Sequence, residues 1–207
     1  MILAYRYAHT RLQGAGTYGI VYSMTVKAHP DAKVAFASLS FARTTNEDQY
    51  LAAVEAHLSG LKRFIDAGIY VNTIWFPNLF VVPLIVWYNH TQEELDALTS
   101  PHLQSLRDTG VDVAYQSTLY PTYLDMYNDQ PSVQNSEIGG FLFGGRIIPK
   151  ALFNTEDGFQ SFLEFVTTQI RNGDSAAYIT MPSTKEYPDN AVLPAWRDSA
   201  GFVITLV

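Results

Sequence analysis

A glycine-rich stretch near the N-terminus limits the folds open to this chain more than any other feature. Gly14, Gly16 and Gly19 match the spacing of the G-x-G-x-x-G dinucleotide fingerprint. That fingerprint requires a helix directly after it, because the helix N-terminus holds the pyrophosphate. Here residues 20–26 are rich in strand-forming side chains instead. The pattern therefore argues against a Rossmann fold and predicts a glycine turn leading into a strand, where the backbone can lie close to another group.

This turn and three later segments resemble the fungal branch of the berberine-bridge-enzyme-like FAD-linked oxidases. The segments follow one another in the family's order, at residues 16–30, 121–125, 144–149 and 194–198. The resemblance implies the substrate-binding domain of that family. In the family this domain is a curved antiparallel sheet with helices on one face, and its other face looks onto the flavin and the substrate.

The family's cofactor chemistry depends on parts that are not matched here. Family members bond the flavin through a histidine, and often a cysteine, of a separate FAD-binding domain, whereas this chain contains no cysteine. Residues 1–13 also diverge from the family's approach to the glycine turn. We therefore expect one domain over residues 1–207 that holds no cofactor alone and meets FAD only where a partner domain supplies the binding site. The expected partners are a hydrophobic small-molecule substrate and either a second copy or a flavin-domain chain.

Composition excludes several classes of function. A chain of 207 residues with 47% hydrophobic and 16% charged residues is long and apolar enough for one sizeable core. The net charge of −7 and the lack of a basic run argue against nucleic-acid binding. The five histidines show no metal-ligand spacing. The absence of cysteine, of a secretory signal and of a long apolar run predicts a cytoplasmic protein without a membrane span.

Hydrophobic periodicity predicts an α+β fold, a mostly antiparallel β-sheet with helices packed on one face. Amphipathic helices are expected after Asn46, Thr91 and Thr155, each of which is a favourable N-cap. Pro101 is expected to restart the second helix. The strands come in pairs between the helices, without the strict alternation of a doubly wound sheet. Pro83 predicts either an edge strand or a bulge, because proline cannot donate to a ladder.

A tyrosine-rich segment and an isolated arginine supply the candidate catalytic groups. Tyr123 and Tyr127 could polarise a substrate carbonyl, with Asp125 to orient or deprotonate a hydroxyl. Arg146 interrupts an apolar strand, so its guanidinium must be paired or must face a cavity. The hypothesis is that these side chains lie together and stabilise the charge that develops on a substrate carbonyl. The alternatives are a packing loop in which Asp125 caps a turn, and a salt bridge from Arg146 to Asp125 or Asp198.

Aromatic side chains are the candidate substrate-binding residues. They make up 14% of the chain, which suits an apolar pocket and a packed core equally well. The candidates are Trp75, Phe80, Trp87, Tyr115, Tyr120 and Phe143. The function favoured by these features is a flavin-independent cyclase or isomerase of natural-product biosynthesis that acts on a hydrophobic polyene or polyketide-type substrate, because orientation and a few donors supply much of such catalysis. The alternatives are the substrate-binding part of a split or fragmentary FAD-linked oxidoreductase, and a non-catalytic module that binds a small molecule or a protein.

Overall fold

The computed structural model describes residues 30–44, 46–130, 143–180 and 193–206, together with the isolated residues 23 and 25. The predicted glycine turn and the divergent residues 1–13 lie outside the described residues. Within the described ranges, seven strands form one antiparallel sheet and four α-helices pack with it, which confirms the α+β prediction. None of these helices is long and apolar enough to cross a bilayer.

The sheet order separates strands that are close in sequence. The strands are β1 Val34–Ala42, β2 Tyr70–Trp75, β3 Leu79–Tyr88, β4 Val113–Tyr120, β5 Phe143–Pro149, β6 Ala176–Thr180 and β7 Ser199–Leu206. The helices are α1 Glu47–Asp66, α2 Gln92–Asp108, α3 Tyr123–Asp129 and α4 Glu156–Asn172, with 3₁₀ turns at Lys150–Asn154 and Pro194–Trp196. The order across the sheet is β4-β1-β3-β2-β6-β7-β5, and each neighbouring pair is antiparallel. The edge strands are therefore β4 and β5.

Local capping chemistry sets the helix boundaries. The Asn46 side chain accepts from two backbone amides at the start of α1, and Thr91 forms a capping box with Glu94 at the start of α2. Thr155 accepts from the backbone amide of Gly158 to start α4. The restart expected at Pro101 is wrong, since α2 runs through Pro101 without a break. Buried leucines on both sides of the proline hold the helix against the core and outweigh the one backbone bond that proline removes.

The main core lies between α1, α2 and α4 and one face of the sheet. Alternate residues of β1 supply it, from Ala35 and Ala37 to Leu39 and Phe41. Phe41 stacks on Phe80 of β3 with ring centroids 4.8 Å apart. The side chains of this face are almost wholly buried, so burial against the helices supplies most of the apolar stabilisation of the fold.

Pro83 lies in a bulge of a central strand. β3 pairs with β1 on one side and β2 on the other, so the edge-strand option for this proline is wrong. The pairing register shifts beside Pro83 on both sides, between Ala37 and Leu39 and between Asn72 and Ile74. The bulge absorbs the missing amide and bends the strand locally.

The opposite face of the sheet, which we call the open face, is turned away from α1, α2 and α4. The strand alternation and pairing place on it Ser38, Ser40, Asn72, Ile74, Ala114, Gln116, Ile147, Ala177, Ile179, Phe202 and Ile204. The short helix α3 covers one corner, where Met126 packs with Val34, Phe36 and Tyr120. The rest of this face carries half-buried or exposed side chains.

Candidate functional site

A depression of about 420 Å³ lies on the open face where β4, β1 and β3 meet. Polar side chains from β1, β4 and the end of α3 line one side of it, and Val81 and Pro83 of β3 line the other. The polar lining consists of Ser38, Ser40, Gln116 and Gln130. Its volume falls within the range of small-ligand sites. This pocket can therefore receive part of a molecule that is mostly apolar and carries a few hydrogen-bonding groups.

The alternation of β1 and the bulge in β3 create this pocket. Leu39 and Phe41 face the core, so Ser38 and Ser40 between them face the open side. On the neighbouring strand, Gln116 pairs with Ser38. Small side chains leave space above the sheet, and the bulge at Pro83 increases the local twist. Small polar residues next to a bulge thus produce a concave surface on an otherwise regular sheet.

A hydrogen-bond network at the end of α3 forms one wall of the pocket. The Tyr120 hydroxyl donates to the Asp129 carboxylate, and the Gln130 amide donates to the same hydroxyl over 2.9 Å. Burial, and then the hydrogen bond to Asp129, raise the pKa of Tyr120. The tyrosine therefore stays neutral at ordinary pH. Its hydroxyl connects Asp129 to Gln130 and so holds the Gln130 side chain at the pocket wall.

An apolar band continues from this pocket toward the other edge of the sheet. It consists of half-buried side chains on β2, β6, β7 and β5, namely Ile74, Ala177, Ile179, Phe202, Ile204 and Ile147. Asn72 lies at its border, paired with Ile179, and its buried Oδ1 has no hydrogen-bond partner. An unsatisfied buried acceptor costs about 1–3 kcal/mol. A contiguous apolar surface of this kind is typical of a binding face.

The predicted grouping of Arg146 with the tyrosine segment is wrong. Tyr123, Asp125 and Tyr127 lie on α3, which contacts β1 and β4 at one edge of the sheet. Arg146 lies in β5 at the opposite edge, with five strands between. Six strand spacings of about 4.8 Å amount to roughly 29 Å along the sheet. These groups cannot act on the same substrate carbonyl.

The α3 residues have separate local roles. Asp125 takes part in the cap of its own helix: the Thr122 hydroxyl accepts from the Asp125 amide over 3.1 Å and donates to its carboxylate over 2.7 Å. This contact agrees with the alternative interpretation of the sequence, in which Asp125 caps a turn. Tyr123 is 48% exposed and Tyr127 is 37% exposed, so both rings lie at the surface rather than in a closed pocket.

Arg146 faces the helix-covered side of the sheet, because it pairs with the core residue Val203. The side chain is exposed at the edge. Within the described ranges it forms no ion pair, so the salt bridge expected to Asp125 or Asp198 is not present. Arg146 instead borders a groove between β5 and α4.

The six aromatic candidates divide between the core and the surface. Trp75 and Phe80 are fully buried against the helices, which corrects their assignment to substrate binding. Trp87 stacks on His90 at 3.7 Å, and the Tyr115 hydroxyl donates to Asp96 of α2 over 2.6 Å, so both belong to the helix side. Phe143 belongs to β5, but its side chain lies outside the described part. Among the described candidates, Tyr120 faces the open side.

The pocket residues Ser38, Ser40, Gln116 and Gln130 were not predicted as site residues, and neither was Asn72 at the border of the apolar band. Serines in a strand are common, and their spacing alone indicates no chemistry. The signal that could have found them is the alternation in residues 34–41, where small polar and large apolar side chains take opposite faces. This alternation indicates a site only once the helices are known to cover the large apolar side chains, because the small polar side chains then face the open side.

Comparison with solved structures shows which fold this chain shares. No family model matches the sequence. The chain shares the fold of a VAO-type flavoprotein, MtVAO615 from Myceliophthora thermophila C1, with a TM-score of 0.71 at 20% identity over 86% of this chain and 33% of that one. A BBE-like protein from Physcomitrella patens matches over 85% of this chain and 38% of that chain, with a TM-score of 0.53 at 12% identity. The sheet and helices thus form one part of a VAO-type, berberine-bridge-enzyme-like flavoprotein fold.

Sequence relatives narrow the class to a fungal family. The chain is 30% identical over 192 residues to FAD-linked oxidoreductase orf1 of Neocamarosporium betae, a match to 89% of this chain and 33% of that protein. It is 27% identical over 195 residues to the bifunctional decalin synthase calF of Penicillium decumbens, covering 90% of this chain and 34% of calF. The chain is therefore similar to one part of the fungal FAD-linked oxidoreductases, and its structural neighbours are VAO-type and BBE-like flavoproteins, in agreement with the resemblance seen in the sequence. It spans about a third of the length of the curated relatives it matches.

Proposed function

We propose that this chain is the substrate-binding part of a FAD-linked oxidoreductase and that the substrate lies on its open face. The observation that carries the proposal is the open face itself, where a polar pocket adjoins an apolar band. Its relatives are FAD-linked oxidoreductases, and a two-part substrate surface fits a hydrophobic polyene or polyketide-type molecule with an oxygen function. The apolar band would hold the hydrocarbon, and Ser38, Ser40, Gln116 and Gln130 would orient the oxygen.

The described residues do not fit the phosphates of FAD. A pyrophosphate requires cations or a helix N-terminus aimed at it. In the described ranges the strands contain one arginine and no lysine, and this Arg146 faces the other side of the sheet. The short helix α3 does lie on the open face, but amides of its first turn already donate to the side chains of Asp31 and Thr122. We infer that FAD would be held by another domain, or by a partner chain that covers the open face.

The contribution of these residues to a reaction is orientation. The described side chains that line the pocket are neutral under ordinary conditions, so they can donate and accept hydrogen bonds without moving a proton. Fixing a substrate in one geometry against a reacting group removes much of the entropic barrier. Selection of the reacting bond would therefore be the task of this face.

Retinol, a neutral polyene whose fluorescence rises in an apolar site, tests the proposal on the 207-residue chain. We expect saturable binding that Ile179→Glu weakens by roughly tenfold or more, because a carboxylate in the apolar band loses its hydration. Gln116→Ala should weaken binding by a smaller factor. The matched control is Gln104→Ala on the exposed side of α2, which should bind as the unmodified chain does. Equal affinity for Ile179→Glu and the unmodified chain, with both folded by circular dichroism, would overturn the proposal.

A cyclase or isomerase function is the second candidate, favoured by the similarity to a protein named decalin synthase. Neutral donors around a carbonyl can promote ring closure by polarising it. The two candidates differ in their need for flavin. Turnover of a polyene substrate by the purified chain without visible flavin absorbance would support the cyclase, whereas turnover that appears only with a flavin-bearing partner would support the oxidoreductase part.

A further inference from the structure

A second cavity lies on the helix-covered side of the sheet, at the edge opposite α3. It has a volume of about 460 Å³ and lies between β5, β7 and α4. We call it the edge groove and define it by Arg146, Ile148, Leu152, Phe162, Phe165 and Thr205. Gly145 and Ile147 border it where β5 forms the edge of the sheet, but the Arg146 and Ile148 side chains that define it alternate with Ile147 and face the helix side.

The edge groove is polar at one end and apolar at the other. Thr205 and Arg146 lie at diagonal positions of the paired strands β7 and β5, since Arg146 pairs with Val203 and Gly144 pairs with Thr205. Ile148 is 8% exposed and Phe162 is 3% exposed, so they form a floor that is part of the core. Phe165 is 38% exposed and stands at the rim on α4.

The Arg146 guanidinium at the edge groove has no charged partner within the described protein. Among the described residues no carboxylate pairs with it. A guanidinium presents donors in a planar fork that matches a carboxylate in a bidentate geometry. The Thr205 hydroxyl on the same face donates to the Gly144 carbonyl over a long 3.4 Å, so a rotation would redirect its one hydrogen to a ligand at small cost.

We propose that the edge groove binds an amphipathic monocarboxylate, with the carboxylate on Arg146 and the hydrocarbon over Ile148, Leu152 and Phe162. The volume fits a small ligand, and the single cation beside an apolar floor matches the two ends of such a molecule. Acetate would lack the apolar contact, and a neutral alcohol would lack the charge. The site is independent of the proposed function, because it lies on the other side of the sheet.

Isothermal titration with dodecanoate at pH 7.5, below micelle formation, tests the site on the 207-residue chain. We expect saturable one-to-one binding, weaker binding of dodecan-1-ol, and no heat from acetate. Arg146→Gln should weaken dodecanoate binding by roughly 10- to 100-fold, as for loss of a charge-assisted hydrogen bond. Arg146→Lys should restore part of the affinity, since it keeps the charge without the planar fork.

Matched variants separate the groove from general effects. Arg107→Gln removes an exposed arginine of α2 and should leave dodecanoate binding unchanged. Phe165→Ala removes an apolar contact at the rim and should weaken dodecanoate and dodecan-1-ol alike. Ile179→Glu, on the open face, should weaken retinol and leave dodecanoate unaffected. Equal affinity of Arg146→Gln and the unmodified chain would overturn the proposal, as would amide NMR shifts that map to Ile179 and Phe202 rather than to Val203 and Thr205.

Discussion

The two faces of the sheet are built from the same strands, but their side chains have different surroundings. On the helix-covered face the side chains of β1, such as Leu39 and Phe41, are almost completely buried. On the open face the intervening Ser38 and Ser40 stay half-buried beside a pocket. The comparison teaches that helix packing decides which set of alternating residues becomes core. The other set then stays accessible on the second face of the sheet.

Polar groups also differ between the faces. On the helix side, His57 Nε2 lies 3.1 Å from Thr73 Oγ1, and His57 Nδ1 lies 3.2 Å from His102 Nε2. This network is buried, and Gly60 makes room for it, because a Cβ there would lie 2.2 Å from His102 Nδ1. On the open face the polar groups are neutral amides and hydroxyls with partial access to solvent. The core network should therefore respond to pH and the pocket should not.

The largest contrast between the faces should appear in a pair of phenylalanine truncations. Phe80→Ala removes a fully buried ring that stacks on Phe41, and we expect a loss of about 3–5 kcal/mol in the free energy of unfolding. Phe202→Ala, on the open face, removes a ring that is half-buried against Trp196 and should cost clearly less. Urea unfolding of both variants measures the difference. Equal losses would show that the open face is packed as tightly as the core.

Acid should destabilise the fold through the histidine network. Burial, and then the positive charge of Arg63, lower the pKa of His102 to about 4 from an ordinary 6.5. Burial, and then His102, hold the pKa of His57 well below its ordinary value. Between pH 6.5 and 4 the unfolded chain therefore binds more protons than the folded chain, so stability falls as the pH falls.

The slope of the free energy of unfolding against pH tests the histidine network. Each histidine with a fully depressed pKa contributes at most about 1.4 kcal/mol per pH unit in this window. Urea unfolding at several pH values should show a shallower slope for His102→Asn than for the unmodified chain. Gln104→Asn, on the exposed side of α2, serves as the control and should keep the slope, because it removes no titratable group. Retinol binding measured where the protein remains folded should not follow the same curve, because the described pocket lining has no histidine.

The smallest expected effect concerns Asn72 on the open face. Its Oδ1 is buried without a partner, so Asn72→Leu removes an unsatisfied acceptor and should leave stability unchanged or raise it by up to about 1 kcal/mol. Thermal unfolding measures this change. The matched substitution on the helix face is Thr73→Val, which removes the hydroxyl next to His57 and should lower stability. A large loss for Asn72→Leu would mean that its amide makes a contact essential to the fold.

Features that depend on neighbouring residues were predictable from the sequence. The caps at Asn46, Thr91 and Thr155 begin helices as expected, since each cap needs only the next three or four residues. The break expected at Pro101 did not occur, because packing of α2 on the core is a long-range effect that outweighs a local propensity. Pro83 indicated a bulge or an edge, and only the pairing of β3 on both sides selected the bulge.

The sequence by itself determined that this chain has amphipathic helices, alternating strands and a resemblance to one flavoprotein family. The tertiary structure decided which residues meet. Tyr123 and Arg146 lie close in sequence, yet they lie at opposite edges because β4 pairs with β1 while β5 pairs with β7. Strand order depends on pairings between residues far apart in the chain, and no local pattern encodes it. The same pairings gathered Ser38, Gln116 and Pro83 into one pocket, and they left Arg146 over an apolar groove.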